Sequence, residues 1–342
     1  MEKMFSEYLL TGATGFLGNT IAWKLHEKGL KCRALVMEGD RFKSKLPPSI
    51  EQYDGDILDL STLGRFFEQT GKDACLLHCA GIVSIASKQN PMIYKVNVEG
   101  TRNIIRLAAS HNIGKVIHVS SIHAIPEKPK GQVMTEVDTF DEMLVKGEYA
   151  KSKAAASQIA SRAAYEGMNI SIVHPAGIIG PGDWRHGQIT STIISYCKGK
   201  LPAGVHGGNN FVDVRDVADG ILACAENGRA GECYILSGHN TTVKNILEHV
   251  RKIINGKRLF YLPLQIVKMI APVYERVASI RHEVPFLTPY SAYALGVNAD
   301  YSHEKATREF GYTPRKIHET IEDTVKWLIA AKQISGTALN II

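Results

Sequence analysis

The sequence has no basic run, no cysteine spacing of the metal-site kind, no internal repeat, no low-complexity tract and no unbroken apolar stretch of bilayer length. Each absence removes a class of protein. Over 342 residues the formal charge is only +6, with 40 lysines and arginines interleaved among 34 acids. A nucleic-acid surface is therefore not expected. The six cysteines stand at 32, 75, 79, 197, 224 and 233. Cys75 and Cys79 lie in an apolar, strand-like run, which reads as buried free thiols, and no metal site is expected. Reduced thiols suit a cytosol. The most apolar late segment, Leu259 to Tyr274, is interrupted by Pro263, Gln265, Lys268 and Pro272. It is too short and too broken to span a bilayer, and it reads as lining for an apolar pocket. The N-terminus runs straight into a strand with no leader pattern. The expectation is a cytoplasmic protein with no membrane partner.

What the chain does have is a glycine-rich turn at its first strand. Tyr8 to Leu10 is apolar and strand-like, and Leu17, Ile21 and Leu25 then recur every four residues on one face of a helix. Between them stand Thr11, Gly12, Ala13, Thr14, Gly15, Phe16, Leu17 and Gly18. A strand, a glycine turn and a helix N-terminus make an anion site, because the unpaired N–H groups of the first helical turn and the helix dipole both attract a pyrophosphate. Gly12 permits the tight turn, Gly15 the approach of phosphate and Gly18 the close packing of helix on strand. The spacing is G-x-x-G-x-x-G, and on its own it also fits an ordinary strand-to-helix turn.

Strand-like runs then alternate with helical ones. Lys31–Val36, a run ending at Asp54 to Ile57, Ala74–Cys79, Lys115–Val119 and Asn169–His174 read as strands, and Ser61 reads as the cap of a helix carrying Leu63, Phe66 and Phe67. This pattern predicts an α/β fold with a doubly wound parallel sheet. From Pro175 the texture changes to proline- and glycine-punctuated turns, an isoleucine-rich helix and a mostly helical tail. Residues 1–178 and 209–238 are assigned to the dinucleotide-binding domain, and 179–208 and 239–342 to a smaller, mostly helical substrate domain.

Tyr149 and Lys153 stand at i and i+4 on one helix face, and Ser121 stands at the end of the Lys115–Val119 strand. A free phenol has a pKa of about 10 and is a poor base at neutral pH; a nearby ammonium lowers it. With Ser121 hydrogen-bonding the same substrate oxygen, the three can hand a proton to a carbonyl as hydride reaches its carbon, or run the reverse. Alone, the Tyr/Lys pair is also what a surface helix offers, and Ser121 what a strand end offers. Their order after the glycine turn carries the reading. His118 and His123, beside the serine, read as structural.

In these motifs the chain resembles the extended short-chain dehydrogenase/reductases, over nearly its whole length. The Thr11 to Gly18 stretch is similar to that family's cofactor turn, Tyr149 to Lys153 to its Y-x-x-x-K, and Ser121 to its catalytic serine. The resemblance implies a Rossmann-type sheet and further cofactor contacts: Thr14, Phe16 and Leu17 in the turn, Asp56 and Ile57 at adenine, and Ala80 and Gly81 as a wall. It also places Asn97 behind the nicotinamide and Pro175, Gly177 and Ile178 over its carboxamide. Phe211 to Ala218 resembles a motif that organises the second domain. The branch with dihydroflavonol reductase and 3β-hydroxysteroid dehydrogenase is most similar. Nucleotide-sugar epimerases usually carry an arginine where this chain has Asn209, and a neutral amide replaces a bidentate cation poorly; Arg185 or Arg281 remain as substitutes.

The resulting expectation is an oxidoreductase for the ketone/alcohol pair of an apolar, ring-sized small molecule. Its wall would come from Ile178, Ile179, Phe260, Tyr261, Leu262, Phe286, Leu287, Tyr290 and Tyr293, although such residues also build domain cores. The alternatives are a nucleotide-sugar epimerase or dehydratase, and a non-catalytic dinucleotide-binding protein. NADP(H) is favoured over NAD(H): Val36 stands where an NAD site usually ends its strand with an acid, and Arg33, Arg41, Lys43 and Lys45 bring positive charge. Met37 replaces the customary NADP arginine and Glu38 argues the other way. A homodimer is left open.

Overall fold

The computed structural model describes residues 5–84, 90–280 and 287–335. In chain order the strands are β1 (Glu7–Thr11), β2 (Cys32–Val36), β3 (Glu51–Asp54), β4 (Ala74–His78), β5 (Lys115–Val119), β6 (Ile170–Pro175), β7 (Gly177–Ile179), β8 (Gly204–His206), β9 (Gly208–Asp213), β10 (Cys233–Leu236), β11 (His239–Thr242) and β12 (Tyr261–Pro263). The helices are α1 (Phe16–Glu27), α2 (Gly64–Phe67), α3 (Pro91–Tyr94), α4 (Thr101–Ser110), α5 (Glu148–Tyr165), α6 (Gln188–Cys197), α7 (Val214–Asn227), α8 (Val243–Ile254), α9 (Leu264–Ile280), α10 (Pro289–Ala294), α11 (Glu304–Phe310) and α12 (Ile317–Ala330).

Seven strands form one sheet in the order β10-β6-β5-β4-β1-β2-β3, every neighbouring pair parallel. Continuous apolar runs such as Tyr8 to Leu10 and Cys75 to Leu77 suit strands covered on both faces. On one face α1 and α7 pack with Ile21, Leu25, Val217 and Ile221. On the other, α4 and α5 pack with Ile104, Ala154 and Ala160, whose small side chains let α5 lie close. Only β3, at the edge, is largely exposed. The strand order reverses between β1 and β4, which opens a crevice at their carboxyl ends.

Two smaller sheets, β11-β9-β7 and β12-β8, stand beyond that edge. Ile179, Phe211 and the inner faces of α6, α8 and α12 form a separate apolar cluster there. Asp213 caps α7 and grips Arg215 through two hydrogen bonds of 3.0 and 2.7 Å; Arg215 reaches on to Asp323 of α12 at 2.8 Å. Asp216 holds Arg315 at 2.7 Å. These charge pairs tie the tail to the sheet.

Three local expectations change. Ser61 caps no helix: Asp59 accepts its N–H at 3.0 Å and caps the short turn before α2. Asp56 and Ile57 lie just past β3, in the loop. Phe260 is 71% exposed, so the Leu259 to Tyr274 segment is not simply pocket lining. All six cysteines are free thiols. No helix among the described residues is long and apolar enough to cross a membrane.

Candidate active site

Gly12, with φ +70°, turns the chain out of β1, and an added Cβ there would lie 2.7 Å from the Ala80 nitrogen. A Cβ on Gly18 would lie 2.1 Å from the Gly12 carbonyl oxygen, so α1 can seat on the turn only without a side chain there. Helix α1 begins at Phe16, after Gly15, with no side-chain cap. Its opening N–H groups, those of Phe16, Leu17 and Gly18, are thus left for an anion. Thr14 donates to Asp40 at 2.6 Å. Arg185, from the loop after β7, reaches back to the Thr14 carbonyl at 3.0 Å and to Asp40 at 2.5 Å. Neither Asp40 nor this use of Arg185 was legible from spacing. These bonds and the guanidinium hold the Asp40 carboxyl below its ordinary range against the opposing effect of burial.

Of the cations expected near an adenosine phosphate, Arg33 is buried and spent on Glu7 at 2.9 Å and the Glu68 carbonyl at 2.6 Å. Lys43 pairs with Asp54, and Lys45 lies over the Trp184 ring at 3.8 Å. Arg41 lies over Phe42 and is exposed. Of the two residues expected at adenine, Asp56 accepts from the Leu58 N–H at 2.9 Å, and Ile57 packs against Gly100 where a Cβ would stand.

Asn97 sits in a π-helical turn, Lys95–Gly100. It accepts from the Ile82 N–H at 2.7 Å, and donates to the Ile82 carbonyl at 3.0 Å and to Ser152 at 2.9 Å. It thereby fixes Ala80 and Gly81, which leave β4, against α5. Pro175 ends β6, and Gly177 and Ile178 enter β7, which pairs with β9.

Ser121 lies two residues past β5 and caps a short 3-10 turn, Ile122–Ala124, its Oγ accepting from the His123 N–H at 3.2 Å. Burial pushes the Tyr149 phenol up, and the neighbouring Ser121 hydroxyl only partly opposes this. The Lys153 ammonium donates to the Val119 carbonyl at 2.7 Å, and burial brings its pKa down to about 8. In the chain by itself, then, burial outweighs any help from the lysine, and Tyr149 holds its proton. Ser121, Tyr149 and Lys153 meet at the carboxyl end of β5 beside a cavity of about 220 Å³. His123, Ile125, Glu127, Leu144, Val145, Lys146, Ala150, Asn209, Tyr293, Val297 and Tyr301 line it.

Residues 8–237 match the sequence profile of the NAD dependent epimerase/dehydratase family. The chain belongs to that family. A Synechocystis sp. protein named for a presumed dihydroflavonol 4-reductase activity is 31% identical over 325 residues, 94% of either chain. "Sterol demethylase protein B" of Methylococcus capsulatus is 28% identical over 324 residues, 93% of this chain and 97% of that protein. The crystal structure of gox2253 superposes with a TM-score of 0.83 at 29% identity, covering 96% of this chain and 100% of that one.

His123, read from the sequence as structural, stands next to Tyr149. Its ring is 6.1 Å from that of Tyr149 and 6.4 Å from that of Tyr290, and it lines the cavity. Burial lowers its pKa to about 4, so it stands neutral. Of the expected wall, Tyr290 and Tyr293 face this site, while Tyr261, Leu262 and Leu287 pack within the small sheets and α9. Ile179 is buried in the cluster behind them, and Ile178 packs on the main core. Phe286 and Arg281 lie outside the described residues.

Behind the site lie three buried histidines. His78 shares hydrogen bonds with Thr11 at 2.7 Å and Thr101 at 3.0 Å, His174 bonds the Ser121 carbonyl at 2.9 Å, and both ring nitrogens of His118 have no partner. Burial lowers all three, His78 to about 3 and His174 to about 4. Below the ordinary value of 6.5 the unfolded chain binds protons that the folded one refuses. Stability is therefore full above that pH and falls as pH drops toward about 4, by about 1.4 kcal/mol per pH unit for each such histidine. His118→Phe removes the two unpartnered nitrogens. Urea titrations at several pH values should show this slope reduced by about one histidine's share; an unchanged slope would assign the acid loss elsewhere.

Proposed function

We propose that the protein is an NADP(H)-dependent reductase for a ring-sized, largely apolar ketone, or equally its alcohol dehydrogenase. The observation that carries this is a buried, protonated Tyr149 near Ser121, its ring edge-on to His123 of the cavity wall. A dinucleotide fits the chain, since the turn before α1 has side-chain-free positions where a cradle needs them. When bound, it supplies or accepts the hydride. The chain's own part is to hold a carbonyl oxygen between two hydroxyls and to release the Tyr149 proton to it. Lys153 adds buried positive charge beside Gly81, its Nζ 3.5 Å from the Cβ position there.

The apolar choice rests on Ile125, Leu144, Val145, Ala150 and Val297 in the cavity wall. It rests also on Arg185 being drawn away to Thr14 and Asp40, where it is not free to replace the missing arginine at Asn209. An apolar wall gains about 25 cal/mol per Å² from a ring system and gives a diphosphate little to offset desolvation. NADPH oxidation and thermal shifts with the coenzyme bound, across steroid, flavonoid and terpenoid ketones and UDP- and TDP-sugars, test the reading. Turnover of a ketone is expected. Saturable stabilisation by a nucleotide sugar alone would overturn it in favour of an epimerase or dehydratase.

For the coenzyme, Arg41 has no carboxylate partner among the described residues and is the cation left for a 2′-phosphate, while Asp40 competes for a free ribose hydroxyl. Calorimetric titration is expected to show NADPH binding at least about tenfold tighter than NADH, roughly 1.4 kcal/mol. Arg41→Ala should erode that gap without weakening NADH. A tenfold preference for NADH would reverse the assignment.

A further inference from the structure

Eight large apolar side chains stand exposed within one short stretch: Phe260 and, on α9, Ile266, Met269, Ile270, Val273, Tyr274, Val277 and Ile280. Ten others are exposed among all the remaining described residues. At about 100° per residue, the seven on α9 fall within an arc of about 140°, whereas Val267, Ala271 and Ala278, which bury the helix against the protein, form a neighbouring narrow strip. A soluble helix normally turns its apolar arc inward. Here the wider apolar arc faces out, and an exposed patch of this kind marks an interaction surface.

The charge around the patch selects its occupant. Lys252, Lys257, Arg258, Lys268 and Arg276 are exposed in the same stretch of chain, and from Lys252 to Ile280 the one acid is Glu275. A second copy using this face would set the same positive rim against itself, whereas an anionic surface complements it. Pro272 stands inside the helix, and Lys268, Glu275 and Arg276 interrupt it, so it suits lying along a bilayer and not crossing one. We propose that α9 and Phe260 form an interfacial anchor that docks the protein on an anionic phospholipid surface. Apolar side chains enter the headgroup boundary, and the flanking lysines and arginines meet the lipid phosphates. The sequence expectation of no membrane partner rested on the segment's inability to span, and a surface mode escapes that argument.

Flotation of the full chain with phosphatidylcholine vesicles, with and without phosphatidylserine, tests this. Binding is expected with phosphatidylserine, several-fold weaker without it, and reduced by salt. Met269 and Val273 are 71% and 67% exposed, so Met269→Glu with Val273→Glu removes anchor contacts and little packing. The double variant should lose vesicle binding about tenfold or more while keeping its thermal midpoint and coenzyme affinity. Lys257→Glu with Arg258→Glu should abolish the preference for phosphatidylserine. Failure of the wild-type chain to float, or flotation indifferent to both variants, would overturn the proposal. So would a dimer in sedimentation velocity that the Met269/Val273 variant splits without any vesicle binding, which would assign the face to a second copy.

Discussion

Tyr149→Phe is expected to cut turnover by a factor on the order of a hundred or more, with coenzyme affinity nearly unchanged. The ring of Tyr149 is buried and lies edge-on to His123, so phenylalanine keeps the packing and loses only the hydroxyl and its proton. An oxygen that develops charge beside the cavity would then meet one hydroxyl where it met two. Lys153→Met behaves differently. It removes a buried ammonium that is held by the Val119 carbonyl at 2.7 Å and lies close to Gly81, so both turnover and coenzyme affinity should drop. The distinction is read as kcat against the dissociation constant for the coenzyme. Near wild-type turnover in Tyr149→Phe would end the proposed role.

What could be read from the chain beforehand was whatever depends on near neighbours. The turn from Thr11 to Gly18, the i, i+4 pair on α5 and the Asp213 to Asp216 motif each sit within a few residues, and their geometry follows from one strand end or one helical turn. The parallel sheet was legible for the same reason, because buried strands carry their own apolar signature. What was hidden depends on pairs far apart in the chain. Arg185 meets Thr14 across 171 positions, and Gly147 abuts Tyr290 so closely that a Cβ would lie 2.3 Å from its ring. Nothing local to His123 says that Tyr290 arrives to enclose it. The wall failed at Phe260 for a related reason. Apolar content alone does not say which side of α9 meets the protein, and small residues, Ala271 and Ala278, took the inner side.

Gly12→Ala should be among the most damaging single-methyl changes in the protein. The backbone there has φ +70°, which an alanine reaches at a cost of about 1–2 kcal/mol. The methyl would also lie 2.7 Å from the Ala80 nitrogen and 2.8 Å from both the Ala80 Cα and the Cys79 carbonyl carbon. All three are backbone atoms at the end of β4, which β1 holds through the Cys79 N–H to Thr11 carbonyl bond of 3.2 Å. No side chain can swing aside, so relief requires parting the two central strands where the coenzyme crevice opens, and overpacking of that sort adds about 1–3 kcal/mol. Gly39→Ala isolates the first cost: its φ is +72°, and nothing lies within 4 Å of the Cβ position. Chemical denaturation should therefore rank Gly12→Ala well below Gly39→Ala in stability. Titration should show the Gly12 variant alone losing coenzyme affinity, by about tenfold or more. Equal losses of stability in the two variants would mean that β4 yields freely at Ala80, and that the turn is not the rigid cradle described above.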